Sequence, residues 1–177
     1  MRPQPESPYA LGKIAGEYYL RIFSSLYGVS TVCLRYFNVY GPRQDPRSFY
    51  SGVISKFTDD IRAGRAPTVF GDGLQSRDFV FVKDVVQANL LAMHSERAGQ
   101  GEAFNVATGR AATLLDLLRI LGDLAGRTIA PVFKDARPGD IRHSLADIAR
   151  AREILGYAPT HDLASGLRLL QDSLRRP

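Results

Sequence analysis

Ser7-Pro8-Tyr9-Ala10-Leu11-Gly12-Lys13 opens a run in which Leu11, Ile14, Ala15, Tyr18, Ile22 and Leu26 recur at helical spacing. Gly28 stops that run, and Thr31-Val32-Cys33-Leu34-Arg35-Tyr36-Phe37 follows, rich in β-branched and aromatic residues. The first segment predicts a helix and the second a buried strand. A turn over Asn38-Val39-Tyr40-Gly41-Pro42 is expected next. A helix feeding a buried strand is the repeating unit of an α/β fold.

Working outward, residues 1–8 carry three prolines and read as extended chain. Downstream, a helix is expected over Phe49–Ile61, closed by Gly64. Strands near Thr68–Phe70 and Phe79–Val82 flank a loop, Gly71-Asp72-Gly73-Leu74-Gln75-Ser76-Arg77. Asp84 reads as the N-cap of a helix ending near His94. A strand over Ala103–Val106 comes next. Thr113 with Asp116 three residues on reads as a capping box for a helix ending near Gly126. A strand over Ile129–Phe133, a loop at Arg137-Pro138-Gly139-Asp140, and helices over Asp147–Leu155 and Asp162–Leu174 complete the chain.

The bulk properties narrow the function classes. A chain of 177 residues can bury a real core. No apolar run approaches the roughly 20 residues that span a bilayer. The start lacks the charged-then-apolar layout of a secretory signal, so a cytoplasmic protein with no membrane partner is expected. The single cysteine, Cys33, sits in an apolar run and reads as a buried thiol. The net charge of +5 suits an anionic partner, but the arginines are scattered and no nucleic-acid motif is present. His94, His143 and His161 lack metal-ligand spacing, so no metal site is expected. There is no Gly-x-Gly-x-x-Gly turn, Walker A loop or Gly-x-Ser-x-Gly elbow.

The chemical signal begins with Tyr9 and Lys13, four apart and so on one helix face. An ammonium beside a phenol favours the phenolate, which can act as a general base toward a sugar hydroxyl. Alone, a Tyr-x-x-x-Lys pair is more often an ordinary helix surface. Its context changes that. Leu34-Arg35-Tyr36-Phe37-Asn38-Val39-Tyr40-Gly41-Pro42-Arg43-Gln44 follows it. Then come Gly71-Asp72-Gly73-x-x-Ser76-Arg77-Asp78-Phe79-Val80-x-Val82-x-Asp84-Val85 and Phe104-Asn105-Val106-Ala107-x-Gly109. Last is Arg137-Pro138-Gly139-Asp140-x-Arg142-His143-Ser144.

This ordered set resembles the extended short-chain dehydrogenase/reductase family of NAD-dependent epimerases and dehydratases, nearest to UDP-glucose and UDP-N-acetylglucosamine 4-epimerases. The likeness runs from about Ser7 to the last helix. It implies the C-terminal part of a Rossmann-type enzyme with a small α/β substrate-binding domain. Residues 1–48 would be a remnant of the NAD-binding domain, and 49–177 mainly the nucleotide-sugar domain.

The resemblance also assigns roles. Tyr9 would be the catalytic base, and Lys13 its activator and a ligand of the nicotinamide ribose. Tyr36 would line the nicotinamide pocket. Asn38 would bond the substrate's phosphates or sugar, and the segment from Ser51 through Gly52 and Val53 to Ile54 would meet the uracil. Arg77 and Arg137 would grip the diphosphate, because a guanidinium offers phosphate a planar fork of donors. Asp140 would accept from ribose hydroxyls, since a carboxylate only accepts. Gln44, Gly52 and Ser144 would shape the sugar pocket, and Arg142-His143-Ser144 tilts the reading toward N-acetylhexosamine enzymes. Arg43 and Arg142 read as surface residues, and the Tyr18-Tyr19 and Phe49-Tyr50 pairs as core or interface.

The implied reaction is a transient oxidation at C4 by NAD, rotation of the 4-keto sugar, and reduction on the other face. The Gly-rich half that would hold most of the NAD is not in this sequence, so NAD binding by this chain alone should be weak or absent. Three explanations stay open: a truncated enzyme, which is preferred; a subunit completed by a second chain carrying the N-terminal half; or a non-catalytic nucleotide-sugar-binding module. A nucleotide-sugar dehydratase is a further alternative. Uncovered apolar surface on the Tyr9 helix and its strand, and a homodimer through that helix, are expected.

Overall fold

Ser7 caps the first helix, α1 (Pro8–Tyr27): its Oγ accepts from the Ala10 backbone N–H at 3.1 Å, and Pro8 takes the opening position where its missing N–H costs nothing. The computed structural model describes residues 4–45 and 52–175. Gly28 ends α1 in the left-handed conformation, as expected.

Strand β1 (Thr31–Tyr36) follows, then β2 (Asn38–Tyr40), so the expected turn at Asn38 is instead a short strand. The next elements are α2 (Val53–Arg62), β3 (Thr68–Phe70), β4 (Ser76–Phe81), α3 (Val82–Met93), β5 (Gln100–Val106) and β6 (Ala111–Thr113). The chain finishes with α4 (Leu114–Ala125), β7 (Val132–Lys134), α5 (Ala149–Leu155) and α6 (Leu163–Arg175). The start expected for α2 at Phe49 lies outside the described residues. Ser76 and Arg77 belong to β4 rather than to the preceding loop, and the last strand begins at Val132 rather than Ile129.

Among the described residues the strands form three small sheets. β1 runs parallel to β5; β4 lies between parallel β2 and antiparallel β6; β3 runs parallel to β7. β4 is the hub, because alternate side chains of a strand point to opposite faces. Phe79 and Phe81 enter a core with Tyr40, Ile54, Phe57, Leu117, Leu121 and Leu167. Val80 enters a second core with Val85, Phe104, Val106, Ile148 and Tyr157.

The expected capping box is present on α4. Thr113 Oγ1 accepts from the Asp116 N–H at 3.0 Å, and the Thr113 N–H donates back to Asp116 Oδ2 at 3.1 Å. Leu114, Leu117, Leu118 and Leu121, at three- and four-residue spacing, bury one face of the helix. Each buried leucine contributes roughly 1.5–3 kcal/mol of transfer free energy.

Asp84 does not cap α3; Phe81 holds that position without a side-chain bond. Instead the buried Asp84 carboxylate accepts from the Thr160 N–H (3.0 Å), Thr160 Oγ1 (2.9 Å) and the His161 N–H (3.3 Å), and meets His161 Nδ1 at 3.0 Å. It fastens the α5–α6 connection to α3. Burying a carboxylate is costly unless donors surround it, and these do.

α1 has no buried residue. Leu11, Tyr18, Tyr19, Ile22, Phe23, Leu26 and Tyr27 are all exposed. The uncovered apolar surface expected there is present, and Tyr18 and Tyr19 are not in a core. Cys33, by contrast, is buried, and burial pushes its thiol pKa up.

Candidate active site

The site is built where β4 starts. The segment from Arg142 to Ser144 lies alongside Ser76: the Ser76 N–H donates to the Arg142 carbonyl at 2.9 Å and the Ser144 N–H to the Ser76 carbonyl at 3.1 Å. His143 Nδ1 and Ser76 Oγ are 3.0 Å apart. This pairing brings the Arg137–Asp140 loop to Arg77, whose Nη2 donates to Asp140 Oδ1 at 2.6 Å. The Arg77 side chain is only 15% exposed.

Arg137 is in the same turn, since its carbonyl accepts from the Asp140 N–H at 3.2 Å. Its guanidinium stacks over the Phe70 ring, 3.7 Å from the centroid. One guanidinium and one carboxylate therefore pair at the start of β4, and the turn that carries the carboxylate also carries Arg137, whose guanidinium lies over Phe70 of β3. The sequence names these three residues but not their mutual contacts, and it gives no sign of Phe70 as the platform.

A second ion pair closes the edge of the site. Arg142 Nη1 and Nη2 donate to Asp72 Oδ1 and Oδ2 at 2.6 and 2.7 Å. Arg142 is exposed, as a surface residue should be, but its two-point bond also ties the Gly71–Gly73 turn to the 142–144 segment. That guanidinium, helped by the Leu74 N–H, holds the Asp72 carboxyl down to about 2. Within the turn, Gly73 has φ +77, and a Cβ there would come within 2.8 Å of Leu115 Cδ2. A side chain is thus excluded both by conformation and by space.

Beneath Arg77, Asp78 is fully buried and organises the strand. Oδ1 accepts from the Thr108 N–H (2.8 Å) and Thr108 Oγ1 (2.6 Å); Oδ2 accepts from the N–H groups of Gly109 (2.9 Å) and Ala146 (3.3 Å). Asn38 Nδ2 donates to the Asp78 carbonyl at 3.3 Å, which holds it beside the same strand.

Other candidate residues lie elsewhere. Gln44 Nε2 is 3.9 Å from where a Gly52 Cβ would sit, so these two adjoin; Val53 begins α2, and Ser51 lies outside the described residues. Tyr9 and Lys13 share the exposed face of α1, with Nζ 5.3 Å from the Tyr9 ring centroid. Tyr36 is half exposed, and its hydroxyl donates to Asn89 Oδ1 at 2.9 Å. Among the described residues no group of three or more His, Cys, Asp or Glu could hold a metal ion. Among the described residues no helix is long and apolar enough to cross a membrane.

A Tyr-x-x-x-Lys helix packed on a parallel strand pair, with an arginine–carboxylate cluster beyond it, defines a class, and the chain belongs to the NAD dependent epimerase/dehydratase family, whose model matches residues 1–107. It is 43% identical over 167 residues to the UDP-glucose 4-epimerase of Mycolicibacterium smegmatis, covering 94% of this chain and 52% of that protein. The crystal structure of Thermotoga maritima UDP-glucose 4-epimerase with UDP-glucose superposes with a TM-score of 0.92 at 44% identity, covering 98% of this chain and 55% of that one. Methanobrevibacter ruminantium UDP-N-acetylglucosamine 4-epimerase, in complex with UDP-N-acetylmuramic acid, gives 0.90 at 42%, covering 97% and 54%. The chain spans about half the length of the relatives it matches. The match to Rossmann-type epimerases agrees with the fold class read from the sequence.

Proposed function

We propose that this chain forms the substrate-side part of a nucleotide-sugar 4-epimerase acting on UDP-glucose or UDP-N-acetylglucosamine. The observation that carries the reading is the Arg77–Asp140 pair at the start of β4, with Arg137 in the same turn as Asp140. Two planar cations beside one acceptor suit a diphosphate joined to a ribose diol. Arg77 and Arg137 take the phosphates and Asp140 the diol. Asn38, Gln44, Gly52, Val53 and Ser144 surround the rest of the substrate. In this reading residues 1–48 serve the cofactor side and 49–177 the substrate side.

Tyr9 and Lys13 present a phenol and an ammonium on one exposed face, which fits the nicotinamide and ribose end of NAD. The pyrophosphate end calls for backbone N–H donors at a Gly-rich helix start, and no Gly-x-Gly-x-x-Gly turn occurs in this sequence to supply them. When bound, NAD supplies reversible oxidation at the sugar C4. The Tyr9 oxygen, in its phenolate form, would take the proton of the 4-hydroxyl and later return it. Lys13, beside the Tyr9 ring, would bond the ribose, and Tyr36 would wall the nicotinamide pocket.

Calorimetric titration of UDP-N-acetylglucosamine and UDP-glucose into the chain tests the substrate half. Binding is expected, weakened about tenfold or more in Arg77→Ala, the scale of one charge-assisted hydrogen bond. Absence of binding, or full affinity in Arg77→Ala, overturns the assignment.

A further inference from the structure

Away from the Arg77 cluster, a cavity of about 610 Å³ opens between β6, α4 and the α5–α6 connection. That volume falls within the range of small-molecule sites. Arg77, Arg137 and Asp140 are not among its lining residues. The residues that give it chemistry are Arg110, Asp116, Arg119, Arg152, His161 and Asp162, drawn from four stretches of the chain.

Their bonding leaves donors and an acceptor to spare. Among the described residues, Arg110 and Arg152 make no side-chain hydrogen bond or ion pair, and Arg119 has only a long 3.4 Å contact to the exposed Asp123. The hydrogen bonds to the Asp116 carboxylate all go to Oδ2, leaving Oδ1 open. Asp162 receives the Ser165 N–H at 2.8 Å through Oδ1 and is anchored in place. His161 is held against the buried Asp84, so the wall it forms is fixed.

Three guanidiniums around one cavity favour an anion, and planar donor forks favour phosphate oxygens. A bare phosphate would leave the two carboxylates facing it with nothing to accept. A ligand that carries hydroxyls as well as a phosphate satisfies both sets. We propose that this cavity is a second site, separate from the Arg77 cluster, and that it binds a phosphorylated sugar. Arg110, Arg119 and Arg152 hold the phosphate, and Asp116 and Asp162 accept from the sugar hydroxyls. The proposal does not depend on the role given to Arg77.

The probe is glucose 1-phosphate, titrated into the full 177-residue chain by calorimetry and by amide NMR, with inorganic phosphate in parallel. Glucose 1-phosphate is expected to bind more tightly than inorganic phosphate and to shift amide signals from Thr108 to Ile120 and from Thr160 to Ser165. Read from the Thr160 to Ser165 amides, its dissociation constant should rise about tenfold or more in the Arg110→Ala/Arg152→Ala variant and stay unchanged in Arg77→Ala. The NMR arm needs no variant, so misfolding of the double variant would not blunt the test. No binding, equal binding of inorganic phosphate, shifts confined to residues near Arg77, or loss of the Thr160 to Ser165 shifts in Arg77→Ala overturns the proposal.

Discussion

α1 and α4 are both regular, well-capped amphipathic helices, yet α4 buries Leu114, Leu117, Leu118, Leu121 and Gly122 while α1 buries nothing. Local rules explain both equally: a Ser or Thr cap, an apolar stripe, a left-handed glycine at the end. What separates them is the supply of partners. α4 meets α2 and α6 across a shared core, whereas α1 rests on β1 and β5 along one side only. Most helical stability in proteins comes from such packing rather than from propensity. The C-terminal two-thirds of the chain is therefore held by its own interior, and α1 by its caps and a narrow line of contact.

The sharpest way to break the well-packed region is Asp78→Ala. It strands four donors that converge on one buried carboxylate, and a loss on the order of 3–5 kcal/mol is expected, by analogy with breaking a buried charged cluster. Chemical denaturation would measure it, and a loss below about 1 kcal/mol would mean the cluster is not what fixes β4 to the second core.

Gly101→Ala separates the two regions. At φ +81 with the Arg21 backbone against it, an added methyl should push α1 off β5 and cost about 1–2 kcal/mol locally. Hydrogen exchange should quicken throughout α1 while α4 keeps its protection. Equal quickening in both helices would mean that they unfold as one unit.

The smallest effect concerns Asp72. Its folded pKa, held down to about 2 by Arg142, lies below the usual carboxylate value, so the pair's contribution is present above about pH 4 and lost as pH falls through about 2. Both side chains are about half exposed to solvent, so the change should be slight. The denaturation midpoints of the native chain and Arg142→Ala should differ slightly above about pH 4 and converge as pH falls through about 2. A difference that persists below that window would point to a packing role for Arg142.

Much of this was legible in the residues because it is local. Thr113 with Asp116, and Gly28, mark helix ends through contacts three or four residues long, and the structure has those ends, whereas Ser7, read as part of an extended stretch, turns out to cap α1. β6 was missed because Ala111-Ala112-Thr113 is too short and too small to show a strand period; it exists because it pairs with Ser76-Arg77-Asp78. Asp84 has every local feature of a cap, yet its partners lie 76 and 77 residues away, where no spacing rule reaches. The same holds at the site: motif likeness named Arg77 and Asp140, but their contact across 63 residues, and the Arg142 bond to Asp72 across 70, are properties of the fold.

Arg77 and Asp78 are consecutive, and the strand pleat turns one toward the Asp140 carboxylate and the other into the interior. Two neighbouring codons thus report on different things. In a mutational library spanning them, variants at Asp78 should lower the amount of folded protein whatever ligand is offered. Variants at Arg77 should leave abundance intact and lose ligand capture, so that abundance and capture are uncorrelated across a single peptide bond.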